Sequence, residues 1–170
     1  MAEAAIGLAA SIAGLATLGI QIVTTLNTFT TSYTRAEQQI KDLSTNVALT
    51  NSILESIGKT IEEYQDRFQL TVDNYIETRD QCKRNFDSLW VALGKVRRDE
   101  SEKLQIKREF RIGGRMGVWP KMMHAMGGAD ALNDLVLSIE TSKSNLQLLL
   151  GSLNLLVLKS LSKKYAVLPL

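Results

Sequence analysis

The sequence predicts an all-α fold: four long helices in an antiparallel bundle, with short extra helices between the third and fourth long helices. Three observations carry that reading. Apolar residues recur with alternating spacings of three and four along most of the chain, the period of a helix that buries one face. Pro120 and Pro169 are the only prolines in 170 residues, so little interrupts a long helix. No stretch shows the strict apolar–polar alternation of a half-buried strand.

The first predicted helix, residues 4–32, differs from the rest. No charged residue occurs from Ala4 to Thr34, and its early turns are built from small residues: Ala5, Gly7, Ala9, Ala10, Ser11, Ala13, Gly14. Ala10-x-x-x-Gly14 and the ladder Ala5, Ala9, Ala13 are small-xxx-small arrangements, which let helices approach closely in protein or in lipid. Twenty residues from Ala4 to Val23 would span about 30 Å, the thickness of a bilayer's hydrocarbon core. A helix that is apolar all round is also what the buried centre of a bundle looks like. Burial on every side is therefore the expected resting state, with release into lipid a later event.

The second helix is predicted at 34–67. Thr34-Arg35-Ala36-Glu37 forms a capping box, and Ile40, Leu43, Val47, Thr50, Leu54, Ile57, Ile61, Tyr64 and Phe68 follow as the buried stripe. The step from Tyr64 through Phe68 to Val72 is four plus four, which breaks phase and predicts a turn near residues 69–73. A third helix, 72–98, carries the stripe Tyr75, Arg79, Cys82, Phe86, Leu89, Leu93, Val96. Short pieces are expected over 103–126. Gly113, Gly114 and Gly117 disfavour a long helix there, Pro120 suits a first turn, and Gly127-Gly128 suits a C-terminal cap. The last long helix is predicted at 130–163 with Asp130 as N-cap and a stripe from Leu132 through Ser142 to Leu156. Residues 1–170 form one predicted domain.

Composition narrows the chemistry. Cys82 is the only cysteine, which excludes an internal disulfide and fits a reducing cytosol. The opening residues lack the basic region of a secretory signal, Met1-Ala2 is not a myristoylation site, and Leu168-Pro169-Leu170 is not a prenylation box. His124 is the only histidine; a Cys/His nucleophile would need it to meet Cys82, and zinc would need more ligands than these. Gly58-Lys59-Thr60 resembles the end of a phosphate-binding loop, but Ile53 stands where its first glycine should be. The glycines of Arg111–Gly117 follow no strand. No catalytic, cofactor or metal site is expected.

One charged feature remains. Between Lys95 and Lys121 nine basic residues face four acidic ones, a local excess of five in a chain whose net charge is +2. Arg97, Arg98, Lys103, Lys107, Arg108, Arg111, Arg115 and Lys121 are the candidate contacts to anionic lipid. Nucleic acid is disfavoured as a partner, because only Phe110 and Trp119 interleave with these cations and no groove-reading motif occurs.

Three segments together resemble a known family. They are Ala10-Ser-Ile-Ala-Gly-Leu-Ala16, Cys82-x-x-x-Phe86-x-x-Leu89-x-x-x-Leu93, and Lys143-Ser-Asn-Leu-Gln-Leu-Leu-Leu150. In this order the chain resembles, over nearly its whole length, the fungal N-terminal domain of STAND (NLR-like) receptors, the HeLo-like domain. It is similar in turn to the four-helix executioner domain of animal necroptosis. The resemblance implies a non-enzymatic bundle placed ahead of a nucleotide-binding oligomerisation domain or an amyloid signalling motif. It implies a role in programmed cell death, innate immunity and heterokaryon incompatibility, through self-association and movement from cytoplasm to plasma membrane. Carried onto this sequence, the membrane-active residues are Ile6, Gly7, Ile12, Gly14, Leu15, Leu18, Gly19, Ile20 and Val23. A regulatory protein–protein interaction module without membrane activity is the alternative, with a helix-mediated protein partner in place of lipid.

Overall fold

A computed structural model describes residues 2–32, 38–64, 72–106 and 118–166 of the chain. Every element in them is an α-helix, and no strand occurs among the described residues: α1 (Ala2–Ser32), α2 (Gln38–Glu63), α3 (Val72–Ile106), α4 (Val118–Met126) and α5 (Ala129–Ala166). All five contribute to one hydrophobic core. The capping box at 34–37, Phe68 and the turn expected at 69–73 fall wholly or mostly outside the described residues.

The stripes read from spacing are the buried faces. In α2 Ile40, Leu43, Val47, Leu54, Ile57 and Ile61 are buried, and Thr50 is sealed in with them by donating its hydroxyl to the Asn46 carbonyl at 2.8 Å. In α3 Tyr75, Cys82, Phe86, Leu89, Leu93 and Val96 are buried, and in α5 Leu132, Leu135, Ile139, Ser142, Leu146 and Leu153. Leu156, expected on that last stripe, is exposed instead. It stands beyond Leu153, the last buried residue among the described side chains of α5.

α1 and α2 run antiparallel. Asn27 accepts from Ser44 Oγ at 3.0 Å, Gly19 lies against Asn51, and Gly58 lies against Ile12, so the register falls along one helix as it rises along the other. α1 rests on α2 and α3, α5 packs on the same two helices, and α4 lies against α3 and α5.

Boundaries shift in two places. α3 continues to Ile106, eight residues beyond the predicted end at 98. The added segment, Asp99–Ile106, holds no glycine or proline and is rich in Glu, Lys, Leu and Gln, which favour helix without needing a buried face. The short pieces expected over 103–126 reduce, in the described residues, to that extension and α4. Asp130 is not an N-cap, because α5 begins at Ala129 and Asp130 lies in its first turn. There its carboxylate still favours the positive end of the helix dipole. The α4–α5 corner is a Schellman motif: Gly128 N–H donates to Met123 O at 2.8 Å and Gly127 N–H to His124 O at 3.2 Å. Both glycines have positive φ, 93° and 143°, where a β-carbon would be strained.

Candidate membrane-active surface

α1 has two faces of different chemistry. Its inner face places Leu8, Ile12, Leu15, Ile22 and Leu26 in the core, with Leu18, Val23 and Phe29 half-buried against it. Its outer face exposes Gly7, Ala10, Ser11, Ala13, Gly14, Thr17, Ile20, Gln21 and Thr24. The expectation of burial on every side is therefore overturned. Of the 23 residues of the apolar stretch Gly7–Phe29, only eight are buried. Two supporting helices cover part of its circumference, and the remainder faces solvent.

The residues expected to be membrane-active divide accordingly. Ile12, Leu15 and Gly19 are buried, Leu18 and Val23 are half-buried, and Gly7, Gly14 and Ile20 are exposed. Ile6 lies in α1, but its side chain is outside the described residues. The small-residue spacing does not mark one packed face: of the ladder Ala9 is buried and Ala13 exposed, and the Ala10–Gly14 pair makes no close approach. Ala10 and Gly14 point outward, and a β-carbon on Gly14 or Gly7 would meet nothing within 4 Å. The close approaches are at Gly19, whose β-carbon would collide with Asn51 Oδ1 and come 3.0 Å from Phe86 Cε2, and at Gly58, 3.3 Å from Ile12 Cγ2.

The outer face is less polar than its sequence suggests. Thr17, Thr24, Thr25 and Thr28 each turn the hydroxyl back onto the carbonyl four residues earlier, at 2.8–2.9 Å. A hydroxyl satisfied by its own helix needs no water or partner, which is how Ser and Thr are carried inside apolar surroundings. Gly7–Phe29, 23 residues, is long and apolar enough to cross a membrane by composition, a test that core helices also pass.

The basic residues are only partly assembled. Arg97 and Arg98 are exposed on α3. Lys121 is not a surface cation: α4 is held against α3 and α5, with Lys95 Nζ donating to the Ala125 carbonyl at 3.2 Å, and Lys121 is buried there. It leaves the set of lipid contacts. Lys103 belongs to α3 with its side chain outside the described residues, and Lys107, Arg108, Arg111 and Arg115 lie outside them altogether. Trp90 and Val91, two exposed apolar residues, precede the arginines by about two turns. Spacing alone could have flagged them, since both are large and apolar yet off the buried stripe.

The remaining reactive groups are structural in their surroundings. Cys82 is fully buried, and burial pushes its thiol up to about 12, which suppresses the thiolate. His124 faces solvent on α4, so the two do not share a site. No group of three or more His, Cys, Asp or Glu residues is placed to hold a metal among the described residues. The buried polar groups serve packing. Asn85 donates to Ser142 Oγ at 3.0 Å and accepts from Gln81 Nε2 at 3.2 Å and from Ser138 Oγ at 3.1 Å, tying α3 to α5. Lys143 Nζ donates to Asn46 Oδ1 at 2.6 Å, and Asn46 Nδ2 donates to Glu140 at 3.1 Å, tying α5 to α2. Compared with known proteins, the chain matches no family model, no curated protein and no solved structure.

Proposed function

We propose that this chain is a non-enzymatic effector domain of the HeLo-like kind, an antiparallel four-helix bundle at the head of a fungal NLR-like receptor. It executes or signals programmed cell death when self-association frees α1 to enter a membrane. The observation that carries this reading is the outer face of α1 from Gly7 to Thr24, exposed to solvent yet without one ionised side chain, its threonines satisfied by their own helix. A surface helix of a globular protein ordinarily carries charge on that face. Solubility alone does not call for its absence; insertion into lipid does. Neighbour order supports the bundle, since α1, α2, α5 and α3 each pack on the next around one core.

The mechanism follows from the two faces. In the cytoplasm the inner leucines and isoleucines hold α1 on α2 and α3. Burying each is worth roughly 1.5–3 kcal/mol, so α1 stays docked until something else covers those residues or the groove it leaves. Lipid tails are as apolar as that groove and can accept the inner face. Trp90 with Arg97 and Arg98 suits the headgroup region, where an aromatic ring and cations are both favoured.

Liposome leakage tests the reading. Intact protein, a deletion of residues 1–23 and Gly14→Glu are compared on anionic vesicles. Gly14 has open space around it, so Gly14→Glu folds normally while placing a carboxylate on the inserting face. That charge costs about 2.5–3.5 kcal/mol at mid-bilayer, or roughly a hundredfold in insertion. Equal leakage from all three proteins would eliminate α1 as the membrane-active element. The alternative, a regulatory interaction module, is favoured by the exposed leucines of α5 and predicts specific protein capture with no vesicle binding.

A further inference from the structure

α5 is amphipathic twice. Opposite its buried stripe runs a second one, displaced around the helix, in which Leu137, Leu148, Gly151, Leu155, Leu158 and Ser162 all face solvent. With Thr141 and Ser144 between Leu137 and Leu148, the spacing is four, three, four, three throughout, the seam of a coiled coil. No position of the seam is charged. Thr141 and Ser144 turn their hydroxyls onto the carbonyls of Leu137 and Glu140, at 2.9 and 3.0 Å, so they present mainly carbon outward. Leu148 and Leu155 are 74% and 69% exposed, among the most open apolar side chains of the described residues. Lone surface leucines need no explanation; a seam of them at heptad spacing does.

We propose that this seam is a homodimer surface, on which a second copy of the chain docks its own α5 antiparallel. The self-association invoked above thereby receives a location, and the proposal rests on that reading only for its purpose. Three features single out a second copy. First, the seam is its own complement. Sliding an antiparallel copy so that Leu148 faces Leu158 sets Leu155 opposite Gly151, and the same pairs recur by the two-fold. Second, Gly151 is an open notch, with nothing within 4 Å of where its β-carbon would stand, and it accepts the partner's Leu155. A parallel pair would place glycine against glycine and leave a void. Third, charge neither opposes the pairing nor asks for a different partner. At the flank Lys159 falls between the partner's Asn145 and the partner's Ser152, both uncharged, and no like charges meet. An acidic or basic partner would find only the single flanking charges of Lys159 and Glu140 to complement. The exposed leucines form a patch on the order of several hundred Å² per copy, the size that marks an interaction site, and enough for a weak dimer rather than an obligate one.

Sedimentation equilibrium of the full chain, without lipid, over about 1–100 μM tests this. The expected result is a reversible dimer. Leu155→Glu is expected to weaken it at least tenfold while leaving the helicity and Tm of the dilute monomer unchanged, because the side chain is solvent-exposed there. Gly151→Leu is the sharper probe: it fills the notch and is likewise expected to weaken the dimer at least tenfold, although it makes the seam more apolar. Leu148→Cys mixed with Leu158→Cys is expected to form a disulfide-linked dimer on mild oxidation, and Leu148→Cys alone is not. A monomer at every concentration overturns the proposal. So does a dimer that Leu155→Glu leaves intact, or one that Gly151→Leu strengthens. A monomer whose binding to anionic vesicles is lost in Leu155→Glu also overturns it, by assigning the seam to lipid. None of these readings involves Gly14, so the dimer and the membrane role of α1 stand or fall separately.

Discussion

The contrast between α1 and α2, which lie against each other, is the most instructive in the molecule. α2 follows the ordinary rule, with Ile40, Leu43, Val47, Leu54 and Ile57 inside and Lys41, Asp42, Glu55, Lys59, Glu62 and Glu63 outside. α1 buries a comparable inner face and leaves its outer face, from Gly7 onward, largely small and uncharged. The same core thus holds one helix whose two sides suit water and oil, and one whose two sides both tolerate oil. Packing explains the inner faces of both. It does not explain the outer face of α1, where no described neighbour requires small or uncharged residues, and that is the face on which the proposed function rests.

Four substitutions test how far the inner and outer environments differ, taken from the largest expected effect. Phe86→Ala removes a fully buried ring from beside Gly19 and is expected to cost about 3–5 kcal/mol by chemical denaturation. Gly19→Ala drives a methyl group into Asn51 and Phe86, both buried, and is expected to cost about 1–3 kcal/mol. Cys82 extends the comparison to pH. Its folded thiol titrates near 12 against a reference of 9.0, so the unfolded chain releases the proton first as pH rises. Its contribution is fully present below pH 9 and is lost between about 9 and 12, at roughly 1.4 kcal/mol per unit. Urea melts at pH 8 and 10 are expected to show a shallower pH dependence for Cys82→Ala than for the parent. Some dependence persists, because burial also raises the Tyr75 hydroxyl. Gly14→Ala has the smallest effect and the opposite sign. With open space at that position, the gain in helix propensity is expected to stabilise by about 0.5–1 kcal/mol. If Gly14→Ala and Gly19→Ala behaved alike, the two-faced description of α1 would be wrong.

Much of the fold was readable from spacing, because burial in a helix repeats every three or four residues and leaves its mark on residue type. Nearly every stripe residue of α2, α3 and α5 that is described lies in or against the core. Spacing was silent on the extension of α3 to Ile106, a segment whose composition favours helix. It misjudged Ala10 and Gly14, since a small residue is equally compatible with a close contact and with open space. The candidate surface was legible as an uncharged segment but not as a face, and Lys121 read as a surface cation until α4 was seen docked on α3 and α5.

The amino-acid order by itself determined that this chain is helical, where its strongest buried stripes run, and that its first thirty residues carry almost no charge. Tertiary structure decided which sides of α1 and α5 are left open, that Gly19 and not Gly14 is a contact, and that Lys121 is covered. The reason is physical. Periodicity reports that a helix has a side fit for burial, whereas exposure depends on how many neighbours surround it, and that number is set only when the helices meet.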